Sequence, residues 1–340
     1  MQSLQKELIP RCFGRYLMDL PDNLYLSTEG GQRFGEITVD IVPMSRTSFD
    51  SMLQSRRAQL QSSYLPGVHR YPVLKEVMSL SGSATGLLFD RAESDGGSSR
   101  MGRTLELLAW REGYRILATI NATDTDFPEF ANDAWIRESK TTTAEQKAQI
   151  LKLLPRIRGR RAEEIPAGKG ACILNGFVSG PAADDEIITL LYQLKGAADV
   201  YLNLNTASTN TRDDTLTARS TSIAPLIAEN QGKILRSRAR SVETVKDGEE
   251  VLYKMLGDPN SERQRIMTYN FIFEANNAAG NAAAPLIRLE LVNGQLIAAP
   301  VQPDGAPSPA PVTSASLSEA EAISLWDAVI PTLRARPGAF

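Results

Sequence analysis

Apolar and polar positions along this chain alternate, change period and alternate again, and the changes mark its elements. Residues 36–42 place Ile37, Val39 and Ile41 on one face, the period-two pattern of a half-buried strand. Over residues 45–60 the period lengthens. Phe49, Met52, Leu53, Arg56 and Leu60 then mark one side of a helix, with the stem of Arg56 lying across the packed surface. Upstream, residues 12–21 form an apolar strand candidate closed by Pro21. Downstream, residues 86–91, 104–110 and 114–121 read as strands. The polar stretch 93–100, with Gly96-Gly97, and the Glu112-Gly113 pair are their connections. Residues 129–154 read as helix in two pieces, with Phe130, Ala134 and Ile136 in the first and Ile150, Leu151 and Leu154 in the second.

Between residues 155 and 170 the pattern lapses into arginine, glycine and proline with little to bury. A boundary there divides the chain into domains 1–160 and 161–340. The second part opens with the apolar run 171–178 and a Gly180-Pro181 turn. Asp184 and Asp185 then precede Ile187, Leu190, Leu191 and Leu194, which predict a helix with acidic residues at its favourable end and Gly196 as its stop. Val200, Leu202 and Leu204 alternate again. A polar loop over 205–214 and a short helical patch over 222–228 follow.

Strand patterns recur at 233–240 and 269–274, and at 286–292 with 295–298, where Asn293-Gly294 signals a hairpin. Residues 300–311 carry five prolines and read as an extended connector. The last helix is well specified. Ser318 and Glu321 fit a capping box, Ile323, Trp326, Ile330 and Leu333 share a face, and Pro331 ends or kinks it. Each half is thus a sheet with helices against it, an α+β arrangement with an antiparallel or mixed sheet in each of two domains.

Composition narrows the function. At 340 residues, 42% apolar and 23% charged, the chain suits one large or two ordinary globular cores. Thirty-seven basic against 40 acidic residues give a net charge of -3, so polyanion binding would need a local basic stripe. The nearest run, Arg156, Arg158, Arg160 and Arg161, is followed by Glu163 and Glu164 and reads as a solvated linker; no nucleic-acid partner is expected. No segment approaches the roughly 20 apolar residues of a membrane-spanning helix, so stable membrane insertion is not expected. Residues 1–7 are polar and lack a signal-peptide pattern, which fits a cytoplasmic protein or a mature chain whose leader has been removed. Cys12 and Cys172, each beside apolar residues, read by default as buried free thiols. In an oxidising compartment they could instead bridge the two halves.

Complete motifs for chemistry are lacking in the sequence. Ser81-Gly82-Ser83-Ala84-Thr85-Gly86 has the composition of a nucleophile elbow with the wrong spacing, and Gly168-Lys169-Gly170 lacks the hydroxyl of a phosphate loop. His69, the single histidine, sits in a loop without an orienting carboxylate. Two cysteines and one histidine cannot close a four-ligand zinc site of Cys and His. The pairs Glu163-Glu164, Asp184-Asp185, Asp213-Asp214 and Glu249-Glu250 point their members apart and read as solvated charge. Trp110, Trp135 and Trp326 lie in apolar periodic segments and read as core. No enzyme, cofactor or metal is expected.

One resemblance adds a function. The ending Ser318-Glu-Ala-Glu-Ala-Ile-Ser-Leu-Trp-Asp-Ala-Val-Ile-Pro-Thr-Leu-Arg-Ala-Arg-Pro-Gly-Ala-Phe340 resembles that of immunity proteins cognate to the fourth class of type VI secreted lipases. Arg11-Cys-Phe-Gly-Arg-Tyr-Leu-Met-Asp-Leu-Pro21, Ala171-Cys-Ile-Leu-Asn-Gly-Phe-Val178, Gly248-Glu-Glu-Val-Leu-Tyr253 and Ile287-Arg-Leu-Glu-Leu291 resemble other blocks of that family in the same order. Asn175 and Gly176 stand where the family often has an acidic or glycine-rich opening, an expected change of local turn.

The resemblance implies two domains forming a claw-like cleft. It also implies a cognate secreted phospholipase effector as partner, inhibition by surface occlusion or by blocking the toxin's cap, and a periplasmic location with a leader preceding the given chain. Such inhibition needs complementary surface and a few desolvated anchors, not catalytic residues. Expected toxin-binding residues lie in loops flanking the cleft: Asp95, Arg100, Asn205, Asn210, Arg212, Asp213 and Asp214. Arg334 and Arg336, part of the family ending, are expected to stabilise the carbonyl end of the last helix. The alternative is an envelope or secretion-associated binding scaffold that inhibits nothing.

Overall fold

Alternation becomes strand wherever a neighbour supplies matching register. Strands β1 (Leu8–Phe13), β2 (Tyr16–Pro21), β3 (Leu24–Phe34) and β4 (Ile37–Pro43) lead into α1 (Arg46–Ser62). Next come β5 (Leu74–Ser79), β6 (Thr85–Ala92), β7 (Gly102–Arg111), β8 (Tyr114–Thr123) and α2 (Thr143–Leu153). Short strands β9 (Ile157–Gly159), β10 (Gly170–Ile173) and β11 (Gly176–Ser179) precede β12 (Glu186–Leu194), β13 (Ala197–Ala207) and α3 (Leu216–Glu229). The remaining elements are β14 (Lys233–Ala239), β15 (Glu249–Gly257), β16 (Ile266–Ala275), β17 (Leu286–Asn293), α4 (Glu319–Val329) and β18 (Arg334–Ala335). This computed structural model describes residues 7–340 apart from 67–70, 83, 94–99, 128–135, 137, 210, 244, 258–264 and 297–311. His69, Gly96-Gly97, Trp135 and the 300–311 connector therefore lie outside the described residues.

The chain forms two compact units that do not follow its linear order. The larger comprises Met1–Gly30, Ala162–Ile173 and Pro181–Phe340; the smaller comprises Gly31–Arg161 and Leu174–Gly180. Both are α+β with antiparallel sheets, as the periodicity implies.

In the smaller unit the strands run in the order β4-β8-β7-β6-β5. Helix α1, capped by Ser45 Oγ accepting from Ser48 N, packs Phe49 and Leu60 against Phe89 and Leu108. Each large apolar side chain buried in this way contributes about 1.5–3 kcal/mol. Arg56 does lie across this surface, and its guanidinium reaches Glu106, which also takes Arg91. The arginine run, expected to be a solvated linker, is structural. Arg160 is buried and donates to Gly176 O at 3.2 Å, and Arg156 donates to Ser179 O at 2.6 Å. Between them Gly159 meets the Tyr114 ring so closely that an added Cβ would sit 2.0 Å from it. Backbone carbonyls of β11 supply the acceptors that the linker reading lacked.

In the larger unit the order is β14-β15-β16-β17-β13-β12, with β12 bordering β3. Neighbouring residues of β16 face opposite sides: Phe271 meets the buried Trp326 of α4 edge-on, while Ile272 and Val251 meet Leu216 of α3. The capping box of α4 forms as expected, and the helix gives way to a 3₁₀ turn over Ile330–Thr332, around Pro331.

Three local expectations fail here. Residues 187–194 are strand β12, not helix; Ile188, Leu190 and Tyr192 face the core and pair along β13. Apolar residues occupy both phases of this segment, so its period was ambiguous. Asn293-Gly294 does not turn into a second strand at 295–296. The Asn293 side chain instead exchanges two hydrogen bonds with the Leu317 backbone, and Gly294 N donates to Asp199 O. Cys12 and Cys172 are not free thiols but form the disulfide of the alternative reading: it links the first and second halves of the chain, 160 residues apart, and joins β1 to β10 inside the larger compact unit.

Arg334 donates to Thr332 O at 2.7 Å, at the carbonyl end of the terminal helix as expected, and pairs with Asp19, whereas Arg336 is buried and donates to the carbonyls of Pro166, Gly168 and Gly170. Arg336 therefore serves a loop, not the carbonyl end of α4.

Candidate interaction surface

Alternation along β13 sends Leu202 and Leu204 inward and leaves Tyr201, Asn203 and Asn205 half-buried on the opposite face. Register carries that face across the sheet. Asn205 stands opposite Arg288, Arg288 opposite Glu274, and Glu274 opposite Glu249. Glu274 has no exposed surface. Arg288 donates to one of its oxygens at 2.5 Å and Arg219 of α3 to the other. Arg219 also holds Asp214 at 2.7 Å, and Arg288 approaches Glu290 at 3.6 Å. A continuous row of alternating charge thus runs Asp214, Arg219, Glu274, Arg288, Glu290.

The electrostatics of the row are static. Burial lowers the proton affinity of Arg219, but its bond to Asp214 and the charge of Glu274 outweigh this and hold it above its ordinary range. Burial, helped by Glu290, pushes Tyr201 up to about 12, and burial likewise raises Tyr253. All three move away from neutrality, which suits a fixed charge pattern rather than proton transfer.

Where the row meets α3, a depression of about 400 Å³ opens. Arg212, Asp213 and Asp214 form one side, Asp247 and Glu249 another, and Asn277 contributes a third. Thr215 caps α3 through Ala218 N, and Glu249 accepts from both the backbone and the hydroxyl of Thr217, a favourable place for a carboxylate beside a helix N-terminus. Asn276, at φ 61°, pins the wall by accepting from Lys246 N and donating to Pro285 O. Gly248 must remain glycine, because a Cβ there would meet Arg240 O at 2.3 Å.

Four of the expected binding residues, Asn205, Arg212, Asp213 and Asp214, belong to this one unit and lie on or beside the charged row. Asn205 is on a strand rather than in a loop, and its amide donates to Thr189 Oγ1 at 2.7 Å. Arg100 belongs to the smaller unit, where its guanidinium lies over the rings of Tyr71 and Phe127 at 4.5 and 3.8 Å. That cation–π stacking gives it a packing role. Asp95 and Asn210 lie outside the described residues.

The sequence reading missed Glu274, Arg288, Arg219 and Asp247, whose association depends on long-range register. It also misjudged Glu250, which is fully buried and takes Arg236, Arg238 and Trp326 Nε1. The period-two spacing of Arg236, Arg238 and Arg240 was the available signal. The smaller unit has a separate polar groove of about 660 Å³ lined by Arg33, Glu36, Glu93 and Gln146. Among the described residues, no three His, Cys, Asp or Glu side chains are placed to hold a metal ion.

The family model of the Tle cognate immunity protein 4 N-terminal domain matches residues 9–160, and that of the C-terminal domain matches residues 164–338. A comparison with curated proteins finds no match. Among solved structures, the apo immunity protein TplEi of the T6SS from Pseudomonas aeruginosa is similar with a TM-score of 0.69 at 18% identity, covering 99% of this chain and 100% of that one. The crystal structure of a Tle4–Tli4 complex contains a chain similar with a TM-score of 0.69 at 18% identity, covering 98% and 99%. TplEi complexed with an "L" peptide gives a TM-score of 0.62 at 17% identity, covering 97% and 99%. At these identities the likeness establishes the fold.

Proposed function

The chain belongs to the Tle cognate immunity protein 4 family, and from that premise we propose that it binds a cognate type VI secreted phospholipase and blocks it, protecting the producing cell. The observation that carries this reading is the match of both family domains, in order, over nearly the whole chain. The complex named for Tle4 and Tli4 supports it by showing a protein of this fold named together with Tle4. Inhibition proceeds by occlusion: the immunity protein covers the toxin or restrains its cap, and makes or breaks no covalent bond itself. The charged row and its depression offer the polar, electrostatically patterned surface that such recognition uses.

The site of action in this reading is the periplasm. The disulfide between Cys12 and Cys172 supports an oxidising compartment.

The test is titration of the purified chain into the lipase encoded beside its gene, with phospholipid hydrolysis as readout. Stoichiometric loss of hydrolysis is expected. A complex that hydrolyses at the free rate would make the protein a scaffold, and absence of any complex would remove the toxin reading.

A further inference from the structure

We propose that the depression beside α3 receives an arginine side chain from the protein that this chain binds. This rests on the toxin-binding reading and assigns one anchor within it. The lining holds four carboxylates, Asp213, Asp214, Asp247 and Glu249, against the single guanidinium of Arg212. Two of the carboxylates are already engaged, Asp214 by Arg219 and Glu249 by Thr217 at the start of α3. Asp213 and Asp247 are exposed and have no partner among the described residues.

A second observation is independent of the charge. Asn277 lines the same depression with only 8% of its surface exposed, and its Oδ1 is buried without a hydrogen-bond partner. An orphaned acceptor at the wall of a depression is one that a donor on a bound partner would pair with, the Asn277 amide turning toward it. The surroundings thus offer acceptors of two kinds and an unspent negative balance.

The chemistry of the occupant follows. A metal ion needs ligands that converge on one point, and the described acidic residues do not converge in that way. A guanidinium spreads five N–H donors over a planar fork and can serve carboxylates and an amide oxygen that are set apart. Arginine is also enriched among the anchors that dominate protein interfaces. Asp247, at φ 52°, tolerates Asn as readily as Asp, so the charge can be removed there without disturbing the turn.

The test has two arms on the intact chain, comparing wild type with the double variant D213N/D247N at equal unfolding temperature. In the first, acetyl-arginine-amide is titrated into the tens of millimolar while the Asn277 side-chain amide is followed by NMR, with acetyl-glutamine-amide and phosphocholine as controls. A saturating shift specific to the arginine probe and absent from the variant is expected. No shift, an equal shift in the variant, or a shift with phosphocholine instead would overturn the assignment. In the second arm, the lipase Kd should rise at least tenfold in the variant. An unchanged Kd would overturn the anchor while leaving the toxin reading intact. A wild-type chain that binds no lipase yet shifts Asn277 with arginine would instead remove the toxin reading and uphold the ligand class.

Discussion

Glu249 and Glu250 are consecutive on β15 and face opposite sides of one sheet, and the two sides use charge differently. On the closed side, α4 lays Trp326 over Phe271, and Glu250 is sealed among Arg236, Arg238 and the indole N–H. On the open side, α3 covers only part of the sheet. There Glu274 is equally buried and, like Glu250, is satisfied by partly exposed guanidiniums. Its partners among the described residues are arginines alone, with no indole donor from an overlying helix, and they continue along the sheet to Asp214 and Glu290. A carboxylate sealed under a helix fixes the fold, whereas one at the root of an exposed charged row also shapes a surface. The closed side should therefore answer to mutation in stability, and the open side increasingly in binding.

The largest effect is expected at the centre of the closed side. Trp326→Ala removes a fully buried ring and the donor to Glu250, and should cost about 3–5 kcal/mol in chemical denaturation. A shift of under about 1 kcal/mol would mean that α4 is not locked to the sheet, and the contrast would vanish.

Glu274→Gln comes next. The amide keeps an acceptor but loses the charge that Arg219 and Arg288 share, so a loss of about 1.5–3 kcal/mol is expected. It should be smaller than the Trp326 effect because both arginines can rehydrate. Equal or larger destabilisation would place the open row among the structural elements.

A smaller, pH-dependent effect lies at the rim of the closed side. Burial alone would raise the Asp327 carboxyl, but the bond to Arg236 and the charges of Arg236, Arg240 and Arg238 hold it below its ordinary value. A folded value below the unfolded one, about 3.9, means that the unfolded chain binds protons first. This stabilisation is present above that value and disappears as pH falls through the folded value. Asp327 is 38% exposed, so solvent screening keeps the contribution under about 1 kcal/mol. In urea melts against pH, the gap between wild type and Asp327→Asn should be constant near neutrality and shrink in acid. A gap that widens in acid would reverse the sign of the coupling.

The same contrast explains what sequence reveals. The strands at 85–92, 102–111 and 114–123 and the capped terminal helix announce themselves through local period and turn chemistry, and they form as expected. β12 did not, because Ile187, Ile188, Leu190 and Leu191 fill both phases and only pairing with β13 selects strand. Burial of Glu250 depends on arginines more than ten residues away and on a helix contributed from residues 319–329, so its dipeptide context looked solvated. The disulfide could not be read from two isolated cysteines, since proximity across 160 residues of chain is a property of the fold. At the candidate surface, the polarity of Asp213 and Asp214 marked the loop. Its neighbours Asp247, Glu249 and Asn277 joined it only through the register of β15 and β16.

The smallest stability change is expected where the binding change should be clearest. Asp213 and Asp214 are exposed, and among the described residues the one side-chain bond they make to the fold is the surface pair between Asp214 and Arg219. Reversing both charges to Lys should alter unfolding free energy by no more than about 0.5 kcal/mol. Lipase affinity should nevertheless fall about tenfold, equivalent to about 1.4 kcal/mol. If charge alone steers the encounter, the loss should appear in the association rate and fade with added salt; if the loop forms part of a desolvated anchor, it should appear in dissociation and persist. Calorimetry and binding kinetics on one sample separate these outcomes. Unchanged affinity would remove this loop from the interface, and a large loss of stability would show that the open side is as structural as the closed one.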